Sequence, residues 1–145
     1  MANFKRLICV DFDGVLHRYT SPWRGPSVIP DGPVPGAMSW LYWMLKDHSD
    51  AYSVSIYSTR NSEPLAIDAM KDWLKYYLTE EILIAEKTLS TLIGQIGFPT
   101  KKPPAWLTLD DRAWCFQGTF PSVYALDNFR PWNEHLKEKC EQISE

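Results

Sequence analysis

Residues 7–14 read Leu-Ile-Cys-Val-Asp-Phe-Asp-Gly, an apolar run that ends in two carboxylates two positions apart. An unbroken apolar run of this length is typical of a strand that is buried on both faces of a parallel sheet. Asp11 and Asp13 therefore follow directly after a predicted strand over residues 6–10. Two carboxylates this close repel each other unless a cation lies between them or one of them is protonated. The pair predicts a metal site or an acid/base centre at the end of the strand.

Strands and helices alternate along the rest of the chain. The patterns predict strands over residues 51–57 and 106–109, a helix over residues 36–48, and a second helix that begins at a capping residue, Asn61 or Ser62. This alternation predicts an α/β fold, a Rossmann-like three-layer sandwich with a mostly parallel sheet and helices on both faces. In such sheets, functional side chains gather beyond the carboxyl ends of the strands.

Two stretches lie outside this alternation. Residues 14–35 carry five prolines, a density that excludes a regular helix or central strand and predicts a flap over the site. In the tail, residues 113–116 and 123–126 predict a hairpin, and an apolar stripe over residues 132–143 predicts a final helix. We expect no sizeable cap domain, because neither the length between Gly14 and Ser58 nor the stretch after Ser58 leaves room for one.

Composition narrows the class of protein. A chain of 145 residues is expected to form one domain, residues 1–145, and its net charge of −3 argues against a surface for duplex nucleic acid. Three widely spaced cysteines give no disulfide framework, which favours a reducing, cytoplasmic location. We expect no membrane segment, because no stretch approaches the roughly 20 apolar residues that span a bilayer. A homodimer is compatible with the sequence.

Three further groups belong with the first acidic pair. Ser58 follows the second predicted strand, Lys101 and Lys102 follow a possible short strand over residues 94–98, and the acidic pair 110–111 follows the strand over residues 106–109. Together with residues 11–15, Asp-Phe-Asp-Gly-Val, and in this chain order, these groups resemble the motifs of the haloacid dehalogenase superfamily of phosphohydrolases, in its small capless type. The resemblance covers residues 7 to 112. It implies a Mg²⁺-dependent phosphatase that works through an aspartyl-phosphate intermediate.

The resemblance also implies roles for the acidic residues. Asp11 would be the nucleophile, and Mg²⁺ would be held by Asp11, the backbone carbonyl of Asp13, and the pair Asp110 and Asp111. Asp13 would protonate the leaving group and later take a proton from the attacking water. An acid at this second position favours a phosphatase over a dehalogenase, because a halide leaving group needs no proton. Either or both of Asp110 and Asp111 could contact the metal.

Other groups would bind the phosphate. By the same resemblance, Ser58 would hydrogen-bond a phosphoryl oxygen, and Gly14 and Thr59 would lie against the substrate. A lysine would hold the nucleophile and the phosphate with its charge. We favour Lys102, which precedes a proline, over Lys101.

Two arginines extend the motifs. The triplets 58–60, Ser-Thr-Arg, and 110–112, Asp-Asp-Arg, resemble the 3′-phosphatase domain of phage polynucleotide kinases. Arg60 is therefore either a substrate-binding residue or a partner that balances nearby carboxylates. For Arg112 we favour the structural role. The substrate would be a phosphorylated small molecule or nucleotide, or a polynucleotide end.

The flap offers further candidates. Trp23, Arg24 and Arg18 could contact substrate, although a flap also needs an aromatic residue to hold it down. His17 belongs to no metal-ligand pair, so we expect it to be solvated.

Two other classes of protein share part of this pattern. A phosphoacceptor signalling domain also combines acids, a hydroxyl and a lysine, but its accepting aspartate follows a central strand, where this chain has Ser58. A catalytically silent binding domain of the same fold is disfavoured because every catalytic group is present.

Overall fold

The computed structural model describes residues 4–134. Strands and helices alternate over most of this range. In chain order they are β1 (Arg6–Val10), α1 (Ala37–Asp47), β2 (Tyr52–Ile56), α2 (Pro64–Ile82), α3 (Glu86–Gly94), β3 (Leu107–Leu109) and α4 (Val123–Asp127). The strands predicted over residues 6–10, 51–57 and 106–109 and the first two predicted helices are confirmed, with ends that differ by a few residues. The possible strand over residues 94–98 is wrong, because Gly94 belongs to α3 and Gly97 makes an isolated bridge to Ser55.

The described strands form one parallel sheet in the order β2-β1-β3. Val10 pairs with Ile56 on one side and with Leu109 on the other, so the three strands end at the same level. The amide of Asp11 also donates to the carbonyl of Leu109 at 2.9 Å, which holds the ends of β1 and β3 together. The fold therefore brings the residues that follow each strand to one edge, as the alternation predicted.

The core lies against one face of the sheet. Ile8 and Val10 of β1 and Val54 and Ile56 of β2 point to this face and are buried with side chains from α1, α2 and α3. Alternate residues along a strand point to opposite faces, so these four share one side of the sheet. The mixed α/β architecture with a parallel sheet is thus confirmed. Within residues 4–134, α4 packs against no other helix or strand, so a helical layer on the second face stays a prediction.

The predicted hairpin is wrong. Residues 113–121 form no strand, and residues 123–126 lie in the short helix α4 instead. Ser122 caps this helix, because its hydroxyl accepts the amide of Ala125 at 3.1 Å. A capping serine satisfies an amide that a strand would have left to a partner, and it outweighs the β-propensity of Val123 and Tyr124. The helix predicted over residues 132–143 lies almost wholly outside the described residues.

The predicted cap of α2 is also wrong. The helix begins after Glu63 with Pro64 in its first turn, and residues 59–62 form a separate 3₁₀ turn. Asn61 is buried and its side-chain amide donates to the carbonyls of Ile56 at 2.7 Å and Pro99 at 2.8 Å. Asn61 therefore joins the end of β2 to the chain beyond α3, and does not cap the helix.

No helix within residues 4–134 has both the length and the apolar character that a membrane span requires. Cys9 is buried, Cys115 is exposed, and both are free thiols.

Candidate active site

A cavity of about 370 Å³ opens at the carboxyl edge of the sheet. Its walls come from the ends of all three strands and from the flap. The lining residues are Asp11, Asp13, Tyr19, Trp23, Ser58, Thr59, Asp111 and Arg112. The structure thus brings together most of the residues that the motifs selected, although they are spread over one hundred positions of the chain.

Three carboxylates meet at one end of this cavity. Oxygens of Asp11, Asp110 and Asp111 lie within 4.8 Å of one another. Burial raises the pKa of Asp11 to about 8, and the neighbouring carboxyls of Asp110 and Asp111 push it the same way, against the opposing hydrogen bond from the Phe12 amide. A hard divalent cation bound by oxygen ligands would relieve this repulsion. The donor set fits Mg²⁺, and the side chain of Asp13 is outside it.

Gly14 lies directly against Asp111. Its backbone has φ +84°, and a Cβ placed on it would collide with the carboxylate of Asp111. Only glycine combines this left-handed conformation with the absence of a side chain. The glycine of the first motif therefore allows Asp111 to approach Asp11. That role is steric, and contact between Gly14 and substrate stays a prediction.

Asp13 is held by two cationic or donor side chains. Arg60 donates from Nε to one carboxylate oxygen at 2.9 Å and from Nη2 to the other at 3.0 Å, and His17 Nδ1 lies 2.8 Å from the carboxylate. Burial alone would raise the pKa of Asp13, but these hydrogen bonds outweigh it and hold the pKa below its ordinary value. Asp13 is therefore a carboxylate in this arrangement.

Arg60 also binds the flap. Its Nη1 donates to the carbonyls of Pro26 at 2.6 Å and Val28 at 3.1 Å, with a longer contact of 3.4 Å to Gly25. The side chain is 1% exposed. Of the two roles that the sequence left open, the structure shows Arg60 balancing Asp13 and anchoring the flap, and substrate binding by Arg60 stays a prediction.

The expectation for His17 is wrong. The side chain is fully buried between Asp13 and the flap, not solvated. Its Nε2 accepts the backbone amide of Asp31 at 3.1 Å, so Nδ1 carries the proton and donates it to Asp13. His17 follows Asp13 by four positions within a tight turn, and that spacing was the one signal of this contact in the sequence.

A second carboxylate joins two parts of the flap to each other. Asp31 accepts the amides of Thr20 at 2.9 Å and Ser21 at 2.8 Å, and the hydroxyl of Ser21 at 2.6 Å. Burial alone would raise the pKa of Asp31, but these hydrogen bonds hold it below its ordinary value. The indole of Trp73 on α2 donates to the carbonyl of Asp31 at 3.0 Å. The flap is thus fastened to the domain at two places, by Arg60 at residues 25–28 and by Trp73 at Asp31.

The candidate phosphate-binding residues differ in whether they line the cavity. Ser58 is buried in the cavity wall, where its hydroxyl accepts the amide of Arg60 at 3.2 Å and keeps its own proton to donate. Thr59 is exposed and also lines the cavity. Lys101 and Lys102 are exposed and lie outside the cavity lining. The charge of Lys102 opposes the rise in the pKa of the Cys9 thiol that burial causes, so this lysine is near the end of β1.

Arg112 is a cation at the cavity wall. Its side chain is exposed, and it makes no ion pair with any residue between 4 and 134. Its backbone amide donates to Asp110 at 2.8 Å. The described contacts of the guanidinium therefore give no support to a purely structural role.

Two residues of the tail reach the site, and no sequence pattern predicted their contacts there. Trp132 donates from its indole to the carbonyl of Gly14 at 2.7 Å, and Asn133, which is buried, donates to the carbonyl of Arg18 at 2.9 Å. These contacts join the tail to the first loop. Because they involve backbone carbonyls more than one hundred positions away, no local pattern could predict them.

Comparison of this chain with family models, with curated proteins and with solved structures found no match.

Proposed function

We propose that this protein is a Mg²⁺-dependent phosphomonoester hydrolase of the haloacid dehalogenase type, with Asp11 as its nucleophile. The observation that carries the proposal is the meeting of Asp11, Asp110 and Asp111 within 4.8 Å at the carboxyl edge of a parallel sheet. Ser58, the predicted phosphate ligand, lines the same cavity. The three-layer sandwich and the cytoplasmic location expected from the sequence belong to this proposal.

The first step would transfer the phosphoryl group to Asp11. An oxygen of Asp11 attacks phosphorus, the bond from phosphorus to the ester oxygen breaks, and the departing oxygen takes a proton. Bound Mg²⁺ would supply positive charge that offsets the repulsion between carboxylate and phosphate. Ser58 can donate its hydroxyl proton to a phosphoryl oxygen, since its oxygen already accepts the Arg60 amide.

Asp13 would carry the proton in both steps. As a carboxylate beside Arg60 and His17, it is suited to the second step, in which it takes a proton from the water that hydrolyses the aspartyl-phosphate. For the first step it must be protonated. A phosphate dianion in the cavity raises the pKa of a nearby carboxyl by like-charge repulsion, which would oppose the effect of Arg60.

The test is hydrolysis of an aryl phosphate by the purified protein with Mg²⁺ and with EDTA. We expect turnover only with Mg²⁺ and none in Asp11→Asn. Asp68→Asn is the matched control, because Asp68 is exposed on α2 and lies outside the cavity lining. Activity that survives in Asp11→Asn would refute the mechanism.

A catalytically silent binding domain is the alternative from another class. The specific observation in its favour is that Asp13 is held as a carboxylate, without the proton that the first step needs. Mg²⁺ binding by calorimetry, together with no turnover across a panel of sugar phosphates, nucleotides and 3′-phosphorylated oligonucleotides, would favour this alternative.

A further inference from the structure

The flap gives the cavity an aromatic wall. Trp23 and Tyr19 line the same cavity as Asp11 and Asp111. Trp23 is 50% exposed, although it belongs to a segment that is otherwise fastened to the domain. An aromatic ring left half exposed beside a candidate catalytic site is a surface on which a ligand can stack.

Holding the flap in place does not require the exposed half of Trp23. The flap is already anchored by Arg60 through three carbonyls and by Trp73 through the carbonyl of Asp31. None of these hydrogen bonds involves the indole of Trp23, whose exposed part lines the cavity. A purely structural role for Trp23, that of holding the loop in place, therefore accounts only for the buried half of its side chain.

Arg60 holds the ring of Trp23 in place. The guanidinium carbon of Arg60 lies 4.5 Å from the centre of the indole, a cation–π contact. Arg60 is itself fixed by Asp13 and by the flap carbonyls. The indole is thus attached to the most tightly bonded side chain of the site, which lowers the entropy cost of stacking a ligand on it.

Tyr19 stands in a backbone conformation that residues with a side chain rarely adopt. Its φ is +54°, in the left-handed region. Such strain persists where the surrounding structure enforces it, and it is concentrated at functional sites. Here the strained residue is one that lines the cavity, beside the buried ring of His17, whose centre is 6.0 Å from that of Tyr19.

Arg112 adds a donor to the same cavity. Because its guanidinium makes no ion pair with residues 4–134, its donors can meet acceptor atoms of a ligand. A ring with carbonyl oxygens or ring nitrogens offers such acceptors and a phenyl ring does not. A nucleobase satisfies both the aromatic wall and the arginine, and the cavity volume of about 370 Å³ lies in the range of small-molecule sites.

We propose that Trp23 and Tyr19 form a ring-binding wall and that the substrate is the phosphate ester of a nucleoside, whose base stacks on Trp23. The inference rests on the proposed function and names its substrate class. The base would be free in a mononucleotide or terminal in a polynucleotide.

The test compares kcat/KM for adenosine 3′- and 5′-monophosphate, a 3′-phosphorylated dinucleotide and glycerol phosphate. In Trp23→Leu we expect the ratio of kcat/KM for nucleotide to that for glycerol phosphate to fall about tenfold or more, chiefly through KM, as expected for a lost base stack. Trp23→Phe should restore most of the ratio. The relative rates of mononucleotides and dinucleotide identify the source of the base.

Two further variants guard against effects on folding. Tyr19→Asn removes the ring and places a residue that tolerates the left-handed conformation, so it should fold and still lower the ratio. Trp43→Leu removes a half-exposed tryptophan of α1 that lies outside this cavity, and the ratio should not change. An unchanged ratio in both Trp23→Leu and Tyr19→Asn would overturn the inference.

Failure of the proposed function is recognised separately. If the wild-type protein turns over no phosphate ester, the ring-binding wall can still be tested by binding. Equilibrium dialysis then measures the affinity of Asp11→Asn for adenosine monophosphate in the presence of Mg²⁺. Binding that weakens at least tenfold when Trp23→Leu is added would support it. Absence of binding, or binding insensitive to Trp23, would overturn it.

Discussion

Arg60 binds Asp13 with two hydrogen bonds, from Nε at 2.9 Å and from Nη2 at 3.0 Å, while its remaining nitrogen binds the flap. One buried guanidinium therefore connects the second carboxylate of the first motif to the loop that lines the cavity. Any change in Arg60 acts on the site and on the flap together.

Arg60→Lys keeps the charge and loses the forked geometry. We expect the free energy of unfolding to fall by about 3 kcal/mol, because a buried carboxylate loses most of its partners. Urea unfolding measures the change. Arg24→Lys is the control, since Arg24 is exposed on the flap and should change stability little. A value for Arg60→Lys within 0.5 kcal/mol of wild type, roughly the range of surface substitutions, would contradict the described contacts.

Asp11 makes the metal-free protein less stable at higher pH. Its pKa of about 8 in the fold is above the ordinary value near 3.9, so the folded state binds the extra proton. Stability from this group is complete below about pH 4 and is lost as pH rises towards 8. In EDTA, Asp11→Asn should therefore raise Tm at pH 8 by about 5 °C and much less at pH 5. Equal effects at both pH values would show that Asp11 is not buried against other carboxylates.

Gly14→Ala tests the approach of Asp111 to the first loop. The new methyl group would meet the carboxylate of Asp111, in addition to the strain of a left-handed alanine. Gly36→Ala is a close control, because Gly36 has φ +85° and open space around the added atom. We expect both variants to lose stability, and only Gly14→Ala to lose Mg²⁺ affinity, by tenfold or more in calorimetry. Equal Mg²⁺ affinity in the two variants would separate Gly14 from the carboxylate cluster.

Asp31 makes the flap sensitive to acid. Its pKa is lowered in the fold, so its contribution to stability is present above about pH 4 and is lost as pH falls below the ordinary value. At pH 7, Asp31→Asn should cost about 2 kcal/mol, because three donors lose a charged acceptor. The difference from wild type in urea unfolding should be constant above about pH 4 and shrink as the pH falls from about 4 to about 2.5. A difference that stays constant over this range would mean that Asp31 is not the titrating group.

The sheet and the carboxylate cluster were predictable because their signals are local. The runs that end at Val10 and Leu109 each fill a strand, and the acids follow where these two strands end. A parallel sheet then fixes which ends meet, without any knowledge of side-chain contacts.

The contacts that complete the site were not predictable. His17, Asp31 and Asn133 act through backbone groups or through residues far along the chain, and such contacts leave no periodic pattern. The prediction for the tail was wrong for another reason. A single capping contact from Ser122 decides between helix and strand there, and propensity alone gives the wrong result.

The shortness of β3 has a consequence for the motions of the protein. Within the described sheet it is an edge strand of three residues, joined only to β1, and it ends at the two acids that repel Asp11. Local opening of a short edge element costs less free energy than global unfolding. Amide hydrogen exchange in Leu107–Leu109 should therefore be the fastest in the sheet, and a divalent cation bound across the acids would slow it by fastening the strand to its neighbour.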